Sequence, residues 1–169
     1  PPPAAAAPSK PDAGGPPPSD TPIQRLINES AERNGVPSRL VHAVASAESR
    51  YQQNARSYAG AIGVMQLMPD TGASMKVGDI TVTEPNIHGG AKYMDQLMTR
   101  YFPDAGFNEM NRSLFAFAAY NAGPGRIARL RKEAEKRGLD PDVWFNNVEI
   151  VTARKIGAAS RSSVYRGYG

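Results

Sequence analysis

Apolar residues in this chain recur at steps of three and four, the spacing of one helical face, and strand-like alternation is missing nearly everywhere. Thr21, followed by Pro22 and by Gln24 three residues on, reads as a capping box. Ile23, Leu26, Ile27 and Ala31 continue that stretch and Asn34-Gly35 stops it, which predicts a helix over 22–34. A second helix starts at Ser38 after Pro37, its stripe of Leu40, Val41, Val44 and Ala47 running into Glu48, Ser49 and Tyr51. Residues 52–64, with Asn54, Ser57, Gly60 and Gly63, read as loop. Pro69-Asp70, after Val64, Met65, Leu67 and Met68, begins a short helix that ends before Gly78. Residues 77–83 read as irregular, with one strand left open. Glu84-Pro85 opens a long helix bearing Ile87, Ala91, Met94, Leu97, Met98 and Tyr101 and stopped at Phe102-Pro103. Beyond it, Asn111 caps the apolar segment 114–120 and Gly123-Pro124-Gly125 breaks the chain. A basic helix then covers 127–137, Asp140-Pro141 begins a shorter one carrying Trp144 and Phe145, and a last helix covers 147–157. Helices of this kind joined by short loops predict an all-α globular domain.

Composition sets the borders of that domain. Of the 15 prolines in 169 residues, eight fall within residues 1–20, mixed with Ala, Gly and Ser and almost no large apolar side chain. Nothing there offsets the entropy of ordering, so residues 1–20 are expected to be a disordered Pro/Ala-rich linker. The folding unit is then 21–160, long enough for one substantial core, with a frayed tail at 161–169. The net charge is +4, a mild excess that suits an acidic polymer or surface without selecting one. Zinc-finger spacings and the aromatic-rich basic motif of RNA-binding domains are missing, so nucleic acid is not the expected partner. No run approaches the ~18 apolar residues of a membrane span.

The chemistry open to the chain is narrowed by its zero cysteines and two histidines, which leave no Cys-based metal site or thiolate nucleophile and make a His-rich one improbable. Glu48 is the position that most conflicts with its surroundings, because steps of four place it on the face of Leu40 and Val44. A carboxyl held there is raised by burial toward the range of a general acid. The plainer alternative is a helix-end glutamate paired with Arg50 or Arg56. Most glycosidases need a second carboxylate, but Asp70, Asp79 and Glu84 adjoin helix starts or loops and Asp95 lies on a polar helix face. Two further runs stand out. Residues 60–69, GAIGVMQLMP, join glycines to a polarizable Met65 and the Gln66 amide, with core packing and a surface Gln as the plain alternative. Residues 118–125, AAYNAGPG, end an apolar helix on Tyr120 and Asn121, which could equally be satisfying the helix terminus.

Taken in order, AESRY at 47–51, GAIGVMQLMPDT at 60–71 and AAYNAGPGRI at 118–127 resemble the soluble lytic transglycosylase family, glycoside hydrolase family 23 of the lysozyme superfamily. The resemblance covers 21–157, and DPDVWFNNVEIVTARKIG at 140–157 looks like the variant carried by transglycosylases of the membrane-bound F type. It implies a lysozyme-like helical domain with a substrate cleft, acting on peptidoglycan glycan strands in the periplasm or cell envelope, as a monomer and without cofactor or metal. It implies further that Glu48 is the sole catalytic acid/base, protonating the glycosidic oxygen between N-acetylmuramic acid and N-acetylglucosamine. The substrate's 2-acetamido group then replaces the missing nucleophile, and the C6 hydroxyl closes a 1,6-anhydro ring. By the same resemblance Ser49 donates to substrate, Met65 offers an apolar surface to a pyranose, Gln66 supplies an amide, and Tyr120 and Asn121 stand by the carboxylate. Tyr58 is a further cleft-lining candidate, and Tyr51 is read as structural.

The family's Glu-Thr-x-x-Tyr-Val segment has no counterpart here. Gly157 is followed by AASRSSVYRGYG, in which Tyr165 or Tyr168 could stand in for the missing tyrosine. Two other readings stay open: a hydrolytic muramidase on the same fold, and a weakly active or non-catalytic peptidoglycan-binding module. The basic stretch Arg126, Arg129, Arg131, Lys132, Lys136 is read as a solvated helix face, and the proline tract as a tether to another domain or envelope complex.

Overall fold

The structure, a computed structural model, describes residues 16–103 and 106–155, with the side chains of 153–155 left aside. The expectations for residues 1–15, for the tail 161–169 and for Tyr165 and Tyr168 lie outside the described residues. All regular structure among the described residues is helical: α1 Pro22–Asn34, α2 Ser38–Ser49, α3 Pro69–Met75, α4 Thr83–Tyr101, α5 Glu109–Ala122, α6 Pro124–Lys136 and α7 Glu149–Lys155, with a π-type turn Trp144–Val148 before the last. Extended pairing is limited to isolated bridges, Arg56 with Ile62 and Ile62 with Leu67, and the strand left open at 77–83 does not form. The chain divides within α4 into two compact units, one ending at Gln96 and one beginning at Leu97.

In the first unit α1 starts where its capping box requires. Thr21 Oγ1 accepts the Gln24 N–H at 3.1 Å and Gln24 Oε1 accepts the Thr21 N–H at 3.3 Å. Its C-terminus closes on Gly35 at φ 70°, a left-handed cap that glycine adopts without steric cost. α1 buries Ile27 and Ala31, α2 buries Leu40, Val41, Val44 and Ala45, and the two helices pack together. Each larger aliphatic side chain so buried contributes at most ~2 kcal/mol. Residues 16–20, assigned above to the linker, are tied to this pair. Arg39 Nη2 donates to the Pro16 carbonyl at 3.2 Å, Asn28 Nδ2 to that of Pro18 at 2.9 Å, and Arg25 Nη1 to that of Ser19 at 3.0 Å. Proline has no N–H but keeps its carbonyl, and two of these three side-chain donors use one. Placed structure therefore begins ahead of Thr21.

The second unit is built on rings. Phe102 stacks on Phe115 with centroids 5.7 Å apart, Phe107 meets Phe115 edge-on at 5.5 Å, and Trp144 meets Phe115 edge-on at 5.6 Å. The Arg131 guanidinium lies 4.9 Å from the Phe107 centroid, its Nε donates to the Pro141 carbonyl at 2.9 Å, and its Nη2 meets Asp142 at 2.6 Å. Arg131 thus leaves the solvated face expected for it and joins this cluster, whereas Arg126, Arg129, Lys132 and Lys136 are exposed.

Three further expectations change in this unit. The α5 cap is Asn108, whose Oδ1 accepts the Asn111 N–H at 2.8 Å. Asn111 itself is buried in the first turn and accepts the Trp144 N–H at 2.8 Å. Gly123-Pro124 starts α6 with no spacer, because Gly123 at φ 95° turns the chain and Pro124 takes a first helical position. No helix starts at Asp140-Pro141. Phe145 is extended and Asn146 left-handed at φ 62°, so the chain makes a wide turn before α7.

Candidate active site

Glu48 is the penultimate residue of α2 and is half-buried, one turn beyond buried Val44 and two beyond buried Leu40. The helix ends sharply after Ser49. Arg50 at φ 53° and Tyr51 at φ 63° are both left-handed, and their N–H groups return to the carbonyls of Ser46 at 3.1 Å and Ala45 at 3.2 Å. Two consecutive non-glycine residues in that region cost ~1–3 kcal/mol each and persist only where neighbours over-determine them.

Two side chains fix this turn. Ser49 is buried, with Oγ 2.7 Å from the Val64 carbonyl and 3.0 Å from the Ala45 carbonyl. The hydroxyl expected to donate to substrate thus points at backbone, joining the α2 end to the 62–67 loop. Tyr51 holds the other side through a chain of hydrogen bonds. Asn28 Nδ2 donates to Pro18, so Asn28 Oδ1 is the acceptor for His42 Nε2 at 2.7 Å, and His42 Nδ1 is left to accept the Tyr51 hydroxyl at 3.0 Å. Burial, with the Arg39 charge as the smaller cause, pulls the His42 pKa from 6.5 down to about 4, and burial pushes the Tyr51 phenol up. Both are neutral at pH 7, as this donor order requires.

The loop after Gly60 carries the next candidates. Met65 is 0% exposed and packs where α4 leaves room at Gly90, so the apolar surface expected to face a pyranose is used up in the core. This is the plainer of the two readings given above. Gln66 is left-handed at φ 48°, half-buried, and donates from Nε2 to the carbonyls of Gly63 at 2.9 Å and Ala55 at 3.2 Å. Both hydrogen bonds use the nitrogen, which leaves Oε1 as the end of the amide that can meet a ligand. Tyr58 stands fully exposed on the 57–60 turn. Tyr120 and Asn121 are half-buried near the end of α5, in the second unit.

Among the other carboxylates, Asp79 is occupied by the Thr81 N–H at 2.9 Å and the Thr81 hydroxyl at 2.6 Å. Asp70 and Glu84 are exposed in the first turns of α3 and α4. Sequence reasoning missed Asn28, His42, Gln53 and Asn86, which hold the turn and the loop. The adjacent Gly89 and Gly90 inside a long helix were the available signal that something passes close to α4.

The helices of the described residues, without a strand among them, form a lysozyme-like helical domain, as the comparison with a solved structure shows. The structure is similar, with a TM-score of 0.63 and 25% identity over 85% of this chain and 22% of the other, to the X-ray structure of an inactive Glu-to-Gln mutant of the lytic transglycosylase Slt from Pseudomonas aeruginosa. Residues 25–142 match the family model described as Transglycosylase SLT domain, and the chain belongs to that family. It is 36% identical over 123 residues, 73% of this chain and 25% of the relative, to the membrane-bound lytic murein transglycosylase F of Stutzerimonas stutzeri. With the membrane-bound lytic murein transglycosylase F 1 of Alkalilimnicola ehrlichii it shares 33% identity over 145 residues, 84% of this chain and 29% of the relative. The chain therefore spans between a quarter and a third of the length of these curated relatives. No helix among the described residues is long and apolar enough to cross a membrane.

Proposed function

We propose that this chain is the glycan-cleaving part of a bacterial peptidoglycan lytic transglycosylase acting in the cell envelope, with Glu48 as its sole acid/base. The observation that carries the reading is the placement of Glu48, half-buried at a braced helix end within the stretch that matches the family model. The names of the murein transglycosylase relatives and the inactive Glu-to-Gln neighbour support it.

In this reaction the protonated Glu48 carboxyl gives its proton to the glycosidic oxygen linking N-acetylmuramic acid to N-acetylglucosamine as the bond from anomeric carbon to oxygen breaks. The 2-acetamido oxygen of the muramic acid supports the electron-poor carbon, the service a second carboxylate performs in the two-residue scheme. Glu48, now a carboxylate, takes the proton of the C6 hydroxyl as that oxygen bonds to the anomeric carbon. The products are a new chain end with a free 4-hydroxyl and a 1,6-anhydromuramic acid, and no water is consumed. Gln66 Oε1, Asn121 and the Tyr120 hydroxyl orient the sugars, Tyr58 meets the strand further out, and Ser49 and Met65 serve from beneath by holding the turn and the loop.

The test is strand cleavage from purified sacculi by the wild type, Glu48→Gln and Tyr120→Phe. Glu48→Gln should bind sacculi and release nothing, and Tyr120→Phe should lose turnover less severely. Sacculus binding without release by the wild type would instead make this a binding module.

A further inference from the structure

The 62–67 loop is fastened to α4 by an arrangement the reaction does not itself require. Asn86, in the first turn of α4, is 0% exposed. Its Oδ1 accepts the Met65 N–H at 2.8 Å, and its Nδ2 donates to the carbonyls of Ile62 and Ile80, each at 2.8 Å. Three and four residues on, along the same face, come Gly89 and Gly90. A Cβ on Gly89 would lie 3.0 Å from Leu67 Cδ1, and one on Gly90 would lie 2.4 Å from Met65 Cγ. From the other side Gln53 Oε1 accepts the Val64 N–H at 3.1 Å while its Nε2 donates to the Ile80 carbonyl at 3.2 Å. Gly63, at φ 81°, passes so close to both amides that a Cβ there would lie 2.4 Å from Asn86 Nδ2 and 2.7 Å from Gln53 Nε2.

An apolar side chain at 86 would bury as much surface. A fully buried amide that meets the loop backbone at both ends, Met65 N–H and Ile62 carbonyl, and ties it to the Ile80 carbonyl, over two glycines that admit the loop's side chains, specifies where that backbone sits. The position matters because Gln66, next in the chain, is left-handed at φ 48° and is not glycine. Ser49, beside Glu48, binds the carbonyl of Val64 at 2.7 Å, within the same loop. The clamp therefore sets the register between the α2 end and the Gln66 amide.

We propose that Asn86, assisted by Gln53, is a positioning residue that holds the 62–67 loop so that Gln66 meets the glycan in register with Glu48, an inference that rests on the glycan-cleaving reading above. The experiment uses the whole chain and two readouts: amide hydrogen exchange at 62–67, and steady-state kinetics on uncrosslinked glycan strands normalised to folded protein. For Asn86→Ala, exchange at the Met65 amide should rise about 100-fold while α2 and α5 stay protected. KM should rise about ten-fold or more with a smaller change in kcat. Asn86→Asp keeps the acceptor for Met65 but sets a buried carboxylate oxygen against the Ile62 and Ile80 carbonyls, so it should raise exchange at 62–67 and KM as well rather than rescue them. Asn111→Ala is the control, since it also frees a buried N–H, that of Trp144, but belongs to the second unit. It should lower the melting temperature and leave KM within about two-fold.

Equal KM changes in Asn86→Ala and Asn111→Ala would reduce Asn86 to a stabilising residue, and unchanged exchange at 62–67 in Asn86→Ala would overturn the clamp. If Asn86→Ala fails to fold, the same readouts are taken on Gln53→Ala, at a half-buried position. A wild type that cleaves nothing counts against the proposed function, while the exchange readout still decides the clamp.

Discussion

Acid should weaken this fold through His42 before it reaches most of the carboxylates. The ring is nearly inaccessible, accepts the Tyr51 hydroxyl on Nδ1 and donates from Nε2 to Asn28, and its pKa is lowered from 6.5 to about 4 by burial first and the Arg39 charge second. The folded chain therefore resists a proton that the unfolded chain accepts at its ordinary pKa. Between those two values the unfolded state binds more protons, so stability rises with pH. His42's contribution is complete above pH 6.5 and is lost as pH falls toward about 4. A displacement of that size is worth ~3 kcal/mol at 1.36 kcal/mol per pH unit, of which ~2 kcal/mol has been lost by about pH 4.5. The assay is urea unfolding of the wild type and His42→Gln near pH 7 and near pH 4.5. Near pH 7 the variant should be ~1–2 kcal/mol less stable, having lost the hydrogen bonds to Tyr51 and Asn28. Near pH 4.5 that gap should shrink by ~2 kcal/mol, so that the curves meet or cross. The carboxylates and His88 titrate in both proteins and cancel in the difference. A gap that stays the same at both pH values would refute the reasoning.

Three other outcomes follow from the packing. Gly90→Val should cost ~2–3 kcal/mol, because its Cβ would need the space of Met65 Cγ; a thermal melt matching the wild type would mean that Met65 is not seated there. Arg131→Lys should cost ~1–2 kcal/mol in urea unfolding and alter the near-UV signal of Trp144, since lysine lacks the planar fork that reaches Phe107, Pro141 and Asp142 together. Asn28→Ala should loosen both ends of its hydrogen-bond chain, raising amide exchange at Tyr51 and admitting protease to residues 16–20.

The helices that carry the two units were legible where local signals agree. Thr21, Pro22, Gln24 and Gly35 bound α1 as read, and Ser38 and Pro69 open α2 and α3 as read. The reading failed where a distant partner decides. Asn111 looks like a cap until Trp144 is found to need its oxygen, and Arg131 looks solvated until three rings surround it. Residues 140–148 show apolar residues at helical spacing, yet Asn146 turns left-handed between them, which spacing cannot signal. Glu48 was nominated by its conflict with an apolar face, and it is half-buried at the end of that face. Met65 and Ser49 were seen as parts of a motif, but whether a motif residue faces substrate or braces a neighbour depends on burial, and both are buried. The residues that brace them were invisible for the same reason, since Asn86 and Gln53 carry ordinary amides whose hydrogen bonds to the loop join backbone groups 21 and 11 positions away.

Mass spectrometry of the fragments released from purified sacculi, with Glu48→Gln run beside the wild type, tests the central claim most directly. The account predicts anhydromuramyl ends, each lighter by one water than a hydrolysed end, from the wild type and no fragments from Glu48→Gln. Reducing muramic acid ends, or release by Glu48→Gln at the wild-type rate, would contradict it.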